Sequence, residues 1–465
     1  MYLARILRVI ILFELVRLGV TIKASDGDDV QCVDSIIQPA FNNTLLKNHR
    51  FQESPSEIPR TVETGKRNNL QSWEAQVSTA NCPAGTVPIR IYNDSRLNVG
   101  TASHTATHAP VHEYAVIRET PRDYLYGAKA TINVWDPEIE GDEMSIAQMW
   151  IAAGKYETGN LNTIEVGCQV LPRMYLDNKP RLFVFWTSDS YKHGCYNLKC
   201  SGFIQTSSSI VIGGSITPVS SFGGSQYEIT ILVWRDRISG NWWLSLGSNS
   251  SVIGYWPGEL FTTLADHAVV AEWGGEILNS ASHGQHTKTQ MGSGHFPAEG
   301  FRNSSYFRNI EMVDKNNSLQ TVQDYEKLVT QPECYDIKTA YTDEWKSHFY
   351  YGGPGFRSGA VTRVVDTRLW RINLDYHCLS RITDNEYDGA GMAAVAGPSG
   401  FTDLKCGGTT EQRRLNRKNR RCLMELLEPF GRRSVGDVKT KSNRDANQDQ
   451  NPFVALQAFF DQEES

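Results

Sequence analysis

The chain of 465 residues has no surplus of positive charge: 46 Lys and Arg stand against 52 Asp and Glu, a net charge of −6. Without a basic excess there is no electrostatic footprint for a nucleic-acid backbone. Beyond its first residues the chain has no apolar run approaching the ~18–20 residues that cross a bilayer, so no membrane span is expected. It also lacks the alternation of strand-length and helix-length patterns that builds a parallel α/β sheet. The histidines lack the company a metal needs. His104, His108 and His112 are spaced by four, but Ser, Thr, Ala and Pro around them read as a linker. His283, His286 and His295 have no carboxylate at ligand spacing, and His193 alone does not complete a zinc site with Cys195 and Cys200. No metal or other cofactor is expected.

What the chain has in quantity is glycine and aromatic side chains: 38 Gly, 19 Tyr and 11 Trp. Short apolar runs between about 114 and 355 are separated by Gly, Asp-Pro and Ser-Gly turns. Thr131–Trp135 stops at Asp136-Pro137. Ile229–Trp234 turns near Ser239-Gly240 into Asn241–Leu246, a hairpin signal. Glu259–Ala265, after Tyr255-Trp-Pro257, is the main helical candidate. Many short strands and few helices predict an all-β fold, an antiparallel two-sheet β-sandwich preceded by a small segment.

Nine cysteines and five Asn-x-Ser/Thr sequons, at Asn42, Asn93, Asn249, Asn303 and Asn316, fit an oxidising secretory compartment. Cys195 and Cys200 predict a local disulfide, and Cys32 with Cys82 is a candidate pair. Residues 1–24 resemble a signal peptide, with Arg5 and Arg8 before Val9–Phe13 and Ala24-Ser25 at the end. Glu14 and Arg17 interrupt its apolar region, which leaves an uncleaved amphipathic helix as the alternative. The expected location is secreted, extracellular or cell wall. At the other end, residues 356–465 carry a basic cluster at Arg413–Arg421 and a polar stretch at Lys439–Gln450, and read as an atypical, partly disordered extension.

Two strands carry acids among apolar neighbours: Leu161–Val170 with Glu165, and Val269–Leu278 with Glu272 and Glu276. Side chains alternate faces in a strand. Glu165, Gly167 and Gln169 therefore share one face. Glu272, Gly274 and Glu276 share another, with Trp273, Gly275 and Ile277 opposite. A half-buried carboxylate must be paired, hydrogen-bonded or protonated. Two such strands facing one groove suit acid/base work on a bound water, whereas a Glu on an ordinary strand is a solvated outer-face residue.

At these residues the sequence resembles the plant neprosin family, prolyl-cleaving glutamic peptidases with an activation segment before a catalytic sandwich. The matching strings include Ser145–Ile151, Arg181–Asp189, Gly194–Cys200, Thr217–Ser221, Gly254–Pro257, Glu272–Glu276, Thr289–Pro297 and Tyr350–Pro354. Upstream, Cys32-Val-Asp34, Gln38–Phe41, Leu45–His49 and Cys82–Arg90 resemble the activation segment. The resemblance implies a segment over 25–110 that acts as an intramolecular inhibitor, a catalytic sandwich over 111–355, and proline-containing peptide or protein substrates. It also implies two catalytic glutamates, which map onto Glu165 and Glu276. Glu272 and Glu276 lie roughly 13 Å apart along a strand and cannot both sit opposite Glu165. A similar string in fungal glutamic peptidases has its second Glu catalytic, which favours Glu276 and leaves Glu272 a supporting role. Cys168 stands where the family usually has Trp, on the face opposite Glu165, where a smaller side chain leaves a packing gap.

The expected chemistry is peptide hydrolysis, on the carboxyl side of proline, by a dyad that titrates as a unit. The ionised Glu takes a proton from water. The protonated Glu polarises the carbonyl and then protonates the leaving amine. Gln169 is expected to donate to the oxyanion, and activity is expected to be greatest at acid pH. The competing class is a non-catalytic sandwich that binds wall carbohydrate or peptide. A third reading, metal-assisted hydrolysis through the histidines, requires sensitivity to a chelator.

Overall fold

In the computed structural model, residues 20–61, 72–92, 110–280 and 286–356 are described. Seven strands in which apolar residues alternate with small, polar and acidic ones form the sheet that carries the site. Numbered in chain order within this sheet, they are β1 Val111–Glu119, β2 Met144–Ala153, β3 Asn162–Val170, β4 Arg181–Thr187, β5 Gly194–Tyr196, β6 Val270–Asn279 and β7 Glu326–Val329. Their spatial order is β5-β4-β3-β2-β6-β1-β7, antiparallel throughout. The central pair of acidic strands thus flanks β2, although β3 and β6 are far apart in sequence.

A second, larger sheet packs against it. Its spine runs Ser251–Trp256, Trp242–Leu246, Gln226–Arg235, Gly127–Asn133 and Ser305–Val313, with Lys346–Gly352 and Asp336–Thr342 attached. The hairpin expected at Ser239-Gly240 is present, with Trp234 opposite Trp243. Side chains from both sheets fill the space between them: Ile164, Val166 and Trp273 from one, and Trp242, Leu244 and Trp256 from the other, while Trp234 and Trp243 face the opposite side, where the Trp234 indole donates to the Glu57 carbonyl of the N-terminal part. Burying such aromatic and aliphatic surface is the main stabilising term of the sandwich.

The N-terminal part adds a three-stranded sheet of Val20–Lys23, Asp29–Asp34 and Thr86–Arg90, closed by the Cys32–Cys82 disulfide. Ser72–Glu74 and Gln76–Val77 pair with Gln226–Glu228 and Ile216–Thr217 of the sandwich, so backbone hydrogen bonds dock this part to the body. Of the leader reading, residues 1–19 lie outside the described residues, as does the 357–465 extension. Residues 20–23 form the edge strand just described.

The helix expected at Glu259–Ala265 is corrected. Only Gly258–Leu260 forms a single 3-10 turn, and Phe261 is already extended at φ −110, ψ 151. The reason is a competing acceptor. The Asn162 side-chain oxygen takes the amides of Thr262, Thr263 and Leu264 at 2.8, 2.9 and 3.3 Å, which pulls this segment onto β3 instead of into a helix.

Candidate active site

All nine residues of β3 are buried, and parity divides them. Ile164, Val166 and Cys168 enter the core between the sheets, so Glu165, Gly167 and Gln169 face the other side. Ala271, Trp273 and Ile277 of β6 likewise point inward, leaving Glu272, Gly274 and Glu276 on the same outer face as Glu165. From β2, Met149 and Ile151 point inward, and Ile146, Gln148 and Trp150 join the acidic face.

Register arranges this face in rungs. Glu165, Trp150 and Glu272 share one rung; Gly167, Gln148 and Gly274 share the next; Gln169, Ile146 and Glu276 share the third. Glu165 and Glu276 are therefore diagonal to one another across Gln148. Gln148 lies between two glycines, each of which its strand needs because a Cβ would meet the backbone of an adjacent strand, β2 at Gly167 and β1 at Gly274. A Cβ on Gly167 would sit 2.1 Å from the Ala147 carbonyl oxygen, and one on Gly274 would sit 2.3 Å from that of Ala115. The Gln148 amide reaches toward Glu276 and donates to its Oε2 at 2.8 Å.

Each carboxyl has its own partners. Glu165 Oε1 accepts from the hydroxyls of Thr163 and Tyr191, both at 2.8 Å. Glu276 Oε1 pairs with His112 Nδ1 at 2.5 Å and accepts from the Tyr114 hydroxyl at 3.4 Å. Glu272 is held by an ion pair with Arg118, its cross-strand neighbour. All three carboxyls are at most 2% exposed. Burial, reinforced by the charge of Glu276, pushes Glu165 up to about 8 against the two hydroxyl donors. Burial also pushes Glu272 up to about 7, because loss of water outweighs the pull of Arg118. Burial and the nearby carboxylates hold Tyr114 and Tyr191 well above the ordinary phenol range, so both remain hydroxyl donors. The site face thus joins a carboxyl that keeps its proton through neutral pH to a second carboxyl supplied with donors, which is the equipment of acid/base catalysis.

Gln169, expected to donate to an oxyanion, shares a rung with Glu276 but lies four residues along β3 from Glu165, and its Nε2 donates to the Tyr175 hydroxyl at 3.0 Å. Gln148, inside the matched string Ser145–Ile151, supplies the amide beside the acids. A polar residue in the middle of an apolar strand was its signal, but only the register shows that it sits between Glu165 and Glu276. His112 also belongs here rather than to a metal. His104, His108 and His283 lie outside the described residues, and among the described residues no group of His, Cys, Asp and Glu is arranged to hold a metal ion.

Cys168 faces the core, packed in the large inter-sheet cluster, and lines a small cavity with Ile146, Gly292 and Tyr351. Burial pushes its thiol up to about 12. Gln169 lines the same cavity, so the cavity reaches the edge of the acidic face. Cys195 and Cys200 form a disulfide. Of the sequons, Asn42, Asn249 and Asn316 are exposed and Asn303 is half-buried, while Asn93 lies outside the described residues.

A two-sheet sandwich with buried glutamates on one face, preceded by a disulfide-stapled segment, fits the class of glutamic peptidases made as precursors. The particular family follows from sequence: the Neprosin model matches residues 141–354 and the Neprosin activation peptide model matches residues 21–118. The chain belongs to the neprosin family. The activation-peptide match runs past the linker into β1. Among solved structures the chain is similar to scytalido-glutamic peptidase with a peptide-based transition-state analogue, at 10% identity and a TM-score of 0.29, covering 53% of this chain and 98% of that one. It is also similar to SCP-B, an Eqolisin-family peptidase in complex with the tripeptide Ala-Ile-His, at 8% identity and a TM-score of 0.27, covering 53% and 98%.

Proposed function

We propose that the protein is a secreted endopeptidase in which Glu165 and Glu276 form the catalytic dyad, cutting on the carboxyl side of proline. The observation that carries this reading is the placement of both buried carboxyls on one face of one sheet, with Gln148 between their rungs and bonded to Glu276. Glu165, protonated, donates to the scissile carbonyl oxygen and polarises it. Glu276 takes a proton from the attacking water, so a tetrahedral intermediate forms with one new C–O bond. Collapse breaks the C–N bond, and Glu165 delivers its proton to the departing amine. Proton exchange with water then restores the pair. Gln148 and His112 orient the Glu276 carboxylate, and Tyr191 and Thr163 orient Glu165. Because Glu165 keeps its proton up to about 8, the alkaline limit lies near neutrality or just above it, a wider range than an acid optimum alone implies.

The proline preference comes from the family. Residues 25–110 act as an inhibitor that must be removed, and 111–355 form the catalytic body. Secretion is supported by two disulfides, and no described helix is long and apolar enough to cross a membrane. A digest of proline-containing peptides by the processed protein between pH 3 and 9, with and without chelator, tests the reading. The expected result is cleavage after proline, unaffected by chelator and fading near pH 8. Absence of turnover at every pH returns the protein to the class of binding sandwiches.

A further inference from the structure

Tyr92 lies two residues beyond the strand Thr86–Arg90, within the stretch matched by the activation-peptide model. Its side chain leaves that stretch and packs against the apolar cluster on the acidic face of the seven-stranded sheet, which includes Tyr175, Phe183 and Tyr196. The contacts are specific. The Tyr92 hydroxyl accepts from Asn197 Nδ2 at 2.8 Å. The ring lies 6.2 Å from that of Tyr175, and Lys199 Nζ stands 5.3 Å from its centroid. Gly213 makes room for the hydroxyl: at φ +84 it is in the left-handed region, and a Cβ there would lie 2.6 Å from the Tyr92 oxygen.

The hydroxyl-reading part of the socket is built by the sandwich; from the segment, Arg90 also lies over the Tyr92 and Tyr175 rings, at 4.7 and 5.2 Å from their centroids. Asn197 is 1% exposed, sits inside the Cys195–Cys200 loop at φ 52, and is anchored by its own Oδ1 accepting the Val184 amide at 3.1 Å. Its amide donates to the Tyr175 hydroxyl at 3.0 Å as well as to Tyr92, and Tyr175 also accepts from Gln169 at 3.0 Å. Gln169 shares a rung with Ile146 and Glu276. A rigid, hydroxyl-reading pocket therefore stands on the same face as the acids, connected to the Glu276 rung, and a tethered phenol fills it.

We infer that this socket is a substrate subsite of the processed enzyme, and that it selects an aromatic side chain, tyrosine above phenylalanine, at a fixed offset from the cleaved bond. The inference rests on the peptidase reading for its cleavage arm. In the precursor Tyr92 occupies the subsite as a tethered mimic at high effective concentration. A buried amide built to bond a hydroxyl discriminates against a side chain that lacks one, because the amide is then left short of a partner.

Two arms test it. In the first, the processed full chain digests a peptide library that varies one position at a time around proline. The expected result is one position at which Tyr gives kcat/KM about tenfold or more above Ala, with Phe between. Cleavage with no aromatic preference at any position overturns the subsite and leaves the peptidase reading standing. In the second, the full chain carrying Tyr92→Ala is titrated with N-acetyl-tyrosinamide and N-acetyl-alaninamide, followed by ligand-observed NMR. Saturable binding of the tyrosine probe alone, weakened by adding Asn197→Ala, is expected. Equal behaviour of the two probes overturns the inference. This arm needs no turnover, so failure of the catalytic reading is seen separately, as a library left uncut. The first arm needs no substitution, so the inference stays testable even if Tyr92→Ala fails to fold.

Discussion

At the residue scale the proposed mechanism turns on the protonation of Glu165. Its carboxyl is pushed up to about 8 by burial and by Glu276. Glu165→Gln keeps the size and a donor but supplies no proton to the leaving amine. The expected kcat is lower by about 10²-fold or more, with the alkaline limb of the pH–rate profile near 8 abolished. A retained limb would assign that ionisation to another group. Gln148→Ala removes the donor to Glu276 and empties the middle of the diagonal, and kcat should fall by roughly 10–100-fold with a smaller change in KM. Cys168 provides the contrast. It faces the core with its thiol pushed up to about 12, so iodoacetamide should leave it unmodified in the native protein, and Cys168→Ala should leave kcat within about twofold while destabilising the fold by ~1 kcal/mol. Alkylation mapped by mass spectrometry checks the first point, and urea denaturation checks the second.

At the element scale the strands were largely legible and the contacts between them were not. Alternation in Asn162–Val170 and Val270–Asn279 tells from sequence which residues share a face, and the structure keeps Glu165 with Gln169 and Glu272 with Glu276 on theirs. What alternation cannot give is register, because sliding a strand by two residues preserves every face. The place of Gln148 between Glu165 and Glu276 is therefore not legible from sequence, nor is the register that sets Gln169 level with Glu276 and Glu272 level with Glu165. The Glu259–Ala265 helix failed for a different reason. Its local propensity lost to a side chain distant in sequence, the Asn162 oxygen that gathers three amides. Asn162→Ala strands those amides at the end of β3. It should destabilise the sandwich by about 1–3 kcal/mol in urea denaturation, whereas a cost near zero would show that the loop finds other acceptors.

At the scale of the whole molecule, stability and pH are coupled through two sets of carboxyls with opposite signs. Glu165 and Glu272, raised by burial to about 8 and about 7, favour the folded state fully below the ordinary carboxyl range near 4.5, and that contribution is lost as pH rises toward 7 and 8. Asp28 works the other way. Burial raises it, but the bonds from Arg90 and Arg181 outweigh burial and leave it lowered, so its contribution is present above about 3.8 and disappears as pH falls further. Asp26, bonded to the Ser215 amide, adds to the same acid limb against its own burial. The urea midpoint of the precursor should therefore peak at about pH 4–5 and fall on both sides, and Glu165→Gln should flatten the fall on the alkaline side. A midpoint that rises steadily to pH 8 would mean that the buried acids are ionised together. The most direct test of the account is single-turnover cleavage of a proline-containing peptide by processed wild type, Glu165→Ala and Glu276→Gln, each verified as folded. The account predicts that either substitution lowers the chemical step by about 10³-fold or more while substrate binding persists. Cleavage by either variant at the wild-type rate would contradict it.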